Sequence, residues 1–303
     1  MKIGIDLGGS HIAIGVVDSN LKIIEKIEKR ITSVEKKNIK LSIESYIIEN
    51  VEKFIKEYKV TGIGIAIPGT LYNNKILKSV NLGIKSEYDM VQKLNKKIKI
   101  PITIKNDAKC AALAENKKGV LKTFNRSVFL TLGTGIGGAV IINGNLLDTG
   151  KFSGCEFGHM VIEKDGKLCK CGNFGCFEAY SSMKVLKNNL RKELGLDEKT
   201  RGEELLSMIR NNKNDNSNYE KIESTIEEFI EYLGIGISNL INIFEPEVIG
   251  IGGSFVFFED VLLERLKNYI QKEELLFNKR NELIIRPAVL GNDAGIIGAS
   301  LII

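Results

Sequence analysis

The chain has 303 residues, and 43 Lys and Arg against 38 Asp and Glu leave a formal net charge of +5. A hydrophobic share of 43% with four prolines is that of a folded globular protein and excludes a Pro-rich or low-complexity chain. MKIGIDLGGS opens without a basic-then-apolar leader, and no apolar run approaches the ~18 residues of a membrane span, so a cytoplasmic protein without a membrane partner is expected.

Basic and acidic residues alternate, as in IEKIEKR (24–30) and NVEKFIKEYK (50–59). That reads as solvated mixed-charge helices, and no nucleic-acid partner is expected. The first 23 residues predict a strand, a Gly-rich turn at LGGS and a returning strand HIAIGVVD, then a turn at Ser19–Asn20. Ile39, Ile43, Ile47, Val51, Phe54 and Tyr58 recur at helical spacing and predict a helix near 36–58. VTGIGIAI (60–67) is a buried strand that stops at Pro68–Gly69. A short helix near 88–98, a strand at 101–105 and a helix from Asp107 to about 118 follow.

A second cycle starts with strand SVFLTL (127–132), a Gly-rich turn, strand AVII and an Asn143–Gly144 hairpin turn. Residues 150–182 are loop-rich and hold most of the cysteines. A long helix near 218–245 carries Ile222, Ile226, Phe229, Leu233, Ile237, Leu240 and Phe244 on one face and ends at Pro246. The strand EVIGIGGS, a helix at 259–273, a strand at 283–289 and a helix at 292–302 complete the chain. Alternation of strands and helices predicts a mixed α/β sheet covered by helices. An ungapped shift of 125 residues places Leu7 on Leu132, Gly8 on Gly133 and Val16–Val17 on Ile141–Ile142, which suggests that the two halves are a duplication.

GTGIGG (133–138) contains GxGxxG at Gly133, Gly135 and Gly138 but opens a strand, so a dinucleotide fingerprint fails; no P-loop is present. Three Gly turns remain, at 7–10, 133–138 and 250–254, and glycine lets backbone N–H groups approach anionic oxygens. With the hydroxyls of Ser10, Thr134 and Ser254 among them, they suggest a triphosphate cradle. Asn106–Asp107, between a strand and a helix, can cap that helix or serve chemistry. His159, Cys169, Cys171 and Cys176 supply four N/S donors, the complement of a closed tetrahedral zinc site, with disulfides as the competing reading. Cys110 and Cys155 fall outside this set and read as buried thiols.

GIDLGGSHIA (4–13), AIPGTL (66–71), KNDAKCAALAE (105–115), LTLGTGIGGAVI (130–141), GCEFGHMVI (154–162), CKCGNFGCFEAYSS (169–182) and GNDAGIIGAS (291–300) together resemble the ROK family of sugar kinases along essentially the whole chain. The resemblance implies an α/β protein of the two-lobed actin-like (ribonuclease H-like) ATPase fold with duplicated lobes. A small lobe would span 1–116, with helix 291–303 packing back on it, and a large lobe with the zinc loop 117–290. It implies an ATP-dependent kinase of a hexose hydroxyl, the 6-OH of glucose or a similar sugar, or alternatively an N-acetylmannosamine, N-acetylglucosamine or fructose kinase. The family's sugar-sensing regulators are the rival of another class; they carry an N-terminal DNA-binding domain, which is not expected here because the phosphate-loop motif already begins at residue 4.

By the same resemblance Gly8, Gly9 and Ser10 form one phosphate loop, with His11 where relatives commonly carry lysine. Gly133, Thr134, Gly135 and Gly137 belong to the second, and Gly252–Gly253 line the adenosine pocket. Asp6 would face the Mg²⁺ that travels with ATP. Asp107 would be the general base, and Gly69, Asn81, Asn106, Glu156, His159 and Glu178 would bind sugar, His159 serving zinc as well. A structural Zn²⁺ on His159, Cys169, Cys171 and Cys176 and a homodimer are also implied. Ile84 stands where many glucokinase-like members carry Trp.

Overall fold

The computed structural model describes residues 1–32, 35, 39–148, 152, 154–211, 216–272 and 283–303. Residues 36–38 and 273, which the sequence reading gave to helix ends, lie outside them. The chain forms two units, one of residues 1–123, 144–155 and 290–303, the other of 124–143 and 156–289.

The first unit is built on strands β1 (Lys2–Leu7), β2 (His11–Val17), β3 (Ile23–Arg30), β4 (Gly62–Ile67) and β7 (Ile102–Asn106), in the order β3-β2-β1-β4-β7. A small hairpin, β5 (Thr70–Tyr72) and β6 (Lys75–Lys78), intervenes in sequence. β1, β4 and β7 run parallel, while β2 and β3 are antiparallel additions. Helices α1 (Ile39–Glu57), α2 (Met90–Asn95) and α3 (Asp107–Lys118) belong to the same unit. Every residue of β4 is buried, as a central parallel strand requires. One face of α1 buries Ile43, Ile47, Val51 and Phe54 against that core. The C-terminal helix Asp293–Leu301 packs on β1, β4 and α3 at backbone distance: a Cβ at Gly64 would land on the Ala299 carbonyl.

Residues 24–30 are strand, not helix. In β3 the side chains alternate between half-buried and exposed, and Glu25 on the inner face accepts hydrogen bonds from Lys53 (3.1 Å) and Tyr58 (2.9 Å) of the α1 region. Charges on both faces suit an edge strand, where they discourage pairing with another chain.

The second unit repeats the plan with β8 (Arg126–Leu132), β9 (Ile136–Ile142), helices α4 (Glu178–Ser181), α5 (Met183–Glu193), α6 (Gly202–Asn211) and α7 (Asn216–Phe244), β10 (Val248–Gly253), α8 (Glu259–Lys272) and β11 (Ile284–Pro287). Its sheet runs β9-β8-β10-β11, with β8, β10 and β11 parallel and β9 antiparallel, the arrangement of β2-β1-β4-β7. The duplication is thus carried by topology, but its register differs from the ungapped one. Leu7 pairs Ile12 in the first hairpin and Leu132 pairs Ile136 in the second, so the second turn is one residue shorter. Val16–Val17 therefore correspond to Val140–Ile141, not to Ile141–Ile142.

Two of the Gly turns are also narrower than the sequence suggested. Gly137 and Gly138 lie within β9, and Gly250 and Gly252 within β10. Gly253 is the last residue of the latter strand, at φ +72°, a conformation glycine adopts without strain.

Candidate active site

In the first unit the sites gather at the C-terminal ends of parallel strands, the edge where open α/β sheets bind ligands. Asp6 stands near the end of β1, Gly69 follows β4, and Asn106–Asp107 end β7 and open α3. The first Gly turn begins just beyond Asp6, where the Gly8 N–H donates to the His11 carbonyl at 2.9 Å. The His11 Nε2 lies 3.7 Å from an Asp6 oxygen. Its imidazole is raised above its ordinary value first by this pairing with Asp6, against burial and with help from the charge of Glu28. Gly9 faces Asn81: a Cβ there would fall 2.9 Å from the Asn81 carbonyl oxygen.

Asn106 does cap α3, its Oδ1 accepting the Lys109 N–H at 3.3 Å, while its Nδ2 donates to the Gly69 carbonyl at 3.4 Å. Asp107 Oδ1 accepts the N–H of Ala108 at 2.9 Å. Capping therefore fixes the pair rather than excluding it from chemistry. Asp107 and Asp6 both act on one buried sulfur: the Cys110 thiol is pushed well up by burial first, then by Asp107 and Asp6.

The sequence reading missed Asp148, which holds Lys105 at 2.7 Å and the buried Lys109 at 3.8 Å. These lysines flank Asp107, and Asp148 offsets part of their charge. Their symmetry about the Asn-Asp pair was the available signal; the distant carboxylate had none.

In the second unit the turn after β8 is Gly133–Gly135, closed by a bond from the Gly133 N–H to the Gly135 carbonyl at 2.9 Å. The next N–H, of Ile136, donates to Glu178 Oε2 at 2.9 Å. Glu178 thus ties the Gly turn to the cysteine loop two residues after Cys176. Glu156 precedes a 3-10 turn over Phe157–His159, and the His159 N–H donates to its carbonyl at 3.0 Å. Thr134 and Ser254 line a common cavity. Gly137 pairs Thr131 inside the sheet, and Gly252 packs on the Phe129 ring, so neither belongs to a loop.

The donor atoms of His159, Cys169, Cys171 and Cys176 all lie within 4.8 Å of one another. Cys169 Sγ is 3.8 Å from His159 Nδ1, and Cys171 Sγ is 3.7 Å from Cys176 Sγ. A tetrahedral zinc with bonds of about 2.3 Å to sulfur sets its ligand atoms about 3.8 Å apart, whereas a disulfide needs about 2 Å. The set therefore fits zinc, and all five cysteines are free. Burial, then the neighbouring sulfurs, pushes the Cys176 thiol up to about 12, while the Asn173 N–H draws Cys171 down. Crowded sulfurs of this kind need a cation to share before they release their protons. Cys110 is buried as expected, but Cys155 is only half-buried.

The model of the ROK family matches residues 2–303. A glucokinase of Thermotoga maritima is 30% identical over 99% of this chain and 96% of its own. A xylose repressor of Bacillus spizizenii is 29% identical over 100% of this chain and 76% of its own. The crystal structure of a ROK family glucokinase from Streptomyces griseus in complex with glucose and AMPPNP aligns at TM-score 0.80 with 25% identity, covering 99% of this chain and 98% of that one. The α/β architecture is accordingly the actin-like ATPase fold of these structures.

Proposed function

The chain belongs to the ROK family, and from that premise we propose that it is an ATP-dependent kinase that phosphorylates a hexose, with the 6-hydroxyl of glucose or a similar sugar as the acceptor. The observation that carries this reading lies within one sheet. Asp6 with the Gly8–Ser10 turn and Asn106–Asp107 occupy the same edge, on parallel strands separated only by β4. Two strand spacings amount to about 10 Å, a separation suited to a phosphate loop at one end and an acceptor hydroxyl at the other.

Asp107 accepts the hydroxyl proton, and the demand on it is mild because phosphoryl transfer is largely dissociative and the proton moves late. Asn106, pinned by Gly69 and by the α3 cap, orients a neighbouring hydroxyl. Gly8, Gly9 and Gly133–Gly135 offer backbone N–H groups to phosphate oxygens. The Asp6 carboxylate, only 17% exposed at the strand end, is a hard oxygen donor of the kind magnesium takes from proteins. Glu156 and Glu178 accept sugar hydroxyls, and His159, with Nδ1 turned to the cysteine cluster, presents its Nε2–H to a sugar oxygen. His159, Cys169, Cys171 and Cys176 would hold a structural zinc, which supplies rigidity to the loop that presents those acceptors.

The experiment is sugar-dependent ADP release from ATP and Mg²⁺, with Asp107→Asn as the control. A protein that binds sugar but releases no ADP with any hexose is a sensor rather than a kinase, and the proposal fails.

A further inference from the structure

The cysteine loop of the second unit is a hairpin held by backbone bonds. The N–H groups of Ile162 and Glu163 donate to the Gly175 carbonyl (2.9 and 3.3 Å), that of Gly175 to Lys167 (2.9 Å) and that of Cys169 to Asn173 (2.8 Å). The Phe177 N–H donates to the Met160 carbonyl at 2.8 Å. Next comes Glu178, whose carboxylate holds the Gly133–Gly135 turn through the Ile136 N–H. Cys176 is therefore fixed on both sides, two residues before a group that faces sugar.

The three sulfurs of the cluster are not equally placed. Cys169 and Cys176 are buried, and Cys171 is exposed. Cys171 Sγ lies 3.7 Å from Cys176 Sγ, whereas Cys169 Sγ faces His159 Nδ1 at 3.8 Å. Cys171 sits on a turn closed by the bond from the Gly172 N–H to the Cys169 carbonyl at 3.0 Å. Gly172 follows it at φ +102°, with nothing within 4 Å of a Cβ, so the turn has room to shift. Shortening the 3.7 Å separation to the ~2 Å of an S–S bond is a local movement. A cysteine bound to zinc is held as a thiolate, the form that oxidants attack. Attack selects an exposed sulfur with a second one in reach, which is the position of Cys171.

We propose that Cys171 and Cys176 form an oxidation site, which hydrogen peroxide closes into a disulfide and which thereby controls sugar binding. The Cys171 sulfur attacks one peroxide oxygen. An S–O bond forms, the O–O bond breaks, and the hydroxide that leaves takes a proton from solvent to become water. The Cys176 sulfur then attacks the sulfur of Cys171. The S–S bond forms, the S–O bond breaks, and the second hydroxide leaves as water with another solvent proton. The two sulfurs together lose two electrons, and the peroxide gains them. His159 and Cys169 alone then remain as donors, too few for a four-coordinate structural site, so zinc is lost. With it goes the restraint on His159 and on the segment that leads to Glu178. The effect on sugar rests on the kinase reading above; the oxidation itself does not.

The test uses the intact, zinc-loaded protein and hydrogen peroxide. Zinc release is read with a chromogenic chelator, the bridge by peptide mass mapping, and the sugar and ATP KM by ADP release. Each is measured before oxidation, after it, and after treatment with dithiothreitol and zinc. We expect one zinc freed for each Cys171–Cys176 bridge formed, and full recovery on reduction. The sugar KM should rise at least about tenfold, as loss of groups that orient a site does, while the ATP KM changes little. Cys171→His keeps a zinc donor and removes the exposed sulfur, so it should retain its metal in peroxide. If that variant does not load zinc, the mass map of the oxidised wild type still decides the pair. Zinc kept in peroxide, a bridge between any other cysteines, or sulfinic and sulfonic products without a bridge would overturn the proposal. A bridge with zinc release but an unchanged sugar KM overturns the control of sugar binding and leaves the kinase reading standing. If no sugar is phosphorylated with ATP, the kinase reading fails, and zinc release with the mass map still decides the oxidation site.

Discussion

Gly135→Ala isolates the link between the second phosphate turn and the sugar-facing loop. A Cβ at this position would enter the Glu178 carboxylate, 2.9 Å from its Cδ. The obstacle is the far end of a flexible side chain, so the carboxylate swings away and the backbone stays. It takes with it the acceptor of the Ile136 N–H, a 2.9 Å bond to a charged group in a half-buried setting. Such bonds are worth about 1.5–3 kcal/mol, and each 1.4 kcal/mol is about tenfold in affinity. The variant should therefore lose between about tenfold and a hundredfold in kcat/KM for the sugar, with the ATP KM rising as the turn loosens. Lys56→Ala is the control, since this side chain is exposed near the end of α1. It should stay within about twofold of wild type, as surface substitutions do. Because the effect runs through one carboxylate, Gly135→Ala should add little in a Glu178→Ala background. Steady-state kinetics of ADP release reads all four proteins. Equal losses for Lys56→Ala and Gly135→Ala, or full additivity with Glu178→Ala, would refute the link.

Asp107→Asn should abolish turnover while sugar affinity by calorimetry stays within about tenfold, because Asn keeps the shape and cannot take the proton; near-normal turnover would remove Asp107 as base. Metal analysis should find one zinc per chain, and Cys171→Ser should raise the sugar KM strongly, shift the ATP KM little and leave far-UV circular dichroism unchanged; an unaltered sugar KM would make the metal a passive staple. His11 gives a pH signature. Its folded value lies above the unfolded 6.5, so its pairing with Asp6 stabilises fully below about 6.5 and is lost as pH rises through the raised value. With His11 46% exposed the effect should stay below about 1 kcal/mol. The Tm advantage of wild type over His11→Gln should thus be larger at acidic than at alkaline pH, and a flat difference would contradict it.

The order of strands and the long helices were legible because their periodicity is strong, as in Ile43–Ile47–Val51–Phe54 of α1. The cysteine cluster was legible because its chemistry survives without coordinates. β3 was misread: Ile24 and Ile27 are three apart and mimic a helix, while the period of two resides in which charges face α1, a tertiary fact. The duplication register was off by one because Gly-rich turns of three and four residues look alike until strand pairing fixes them. α5 and α6 went unread because their apolar residues are sparse amid Lys, Asn and Glu, so the helical period is hard to see. The tie from Glu178 to Ile136 was likewise invisible at 42 positions of separation.

Transfer of labelled phosphate tests the central claim most directly. The protein is incubated with γ-labelled ATP, Mg²⁺ and, in turn, hexoses and N-acetylhexosamines, and products are resolved by mass spectrometry. The account predicts label in a hexose phosphate, with glucose the first candidate, formed one for one with ADP and lost in Asp107→Asn. Label found only in inorganic phosphate, or no label released with any sugar of the panel, would contradict it.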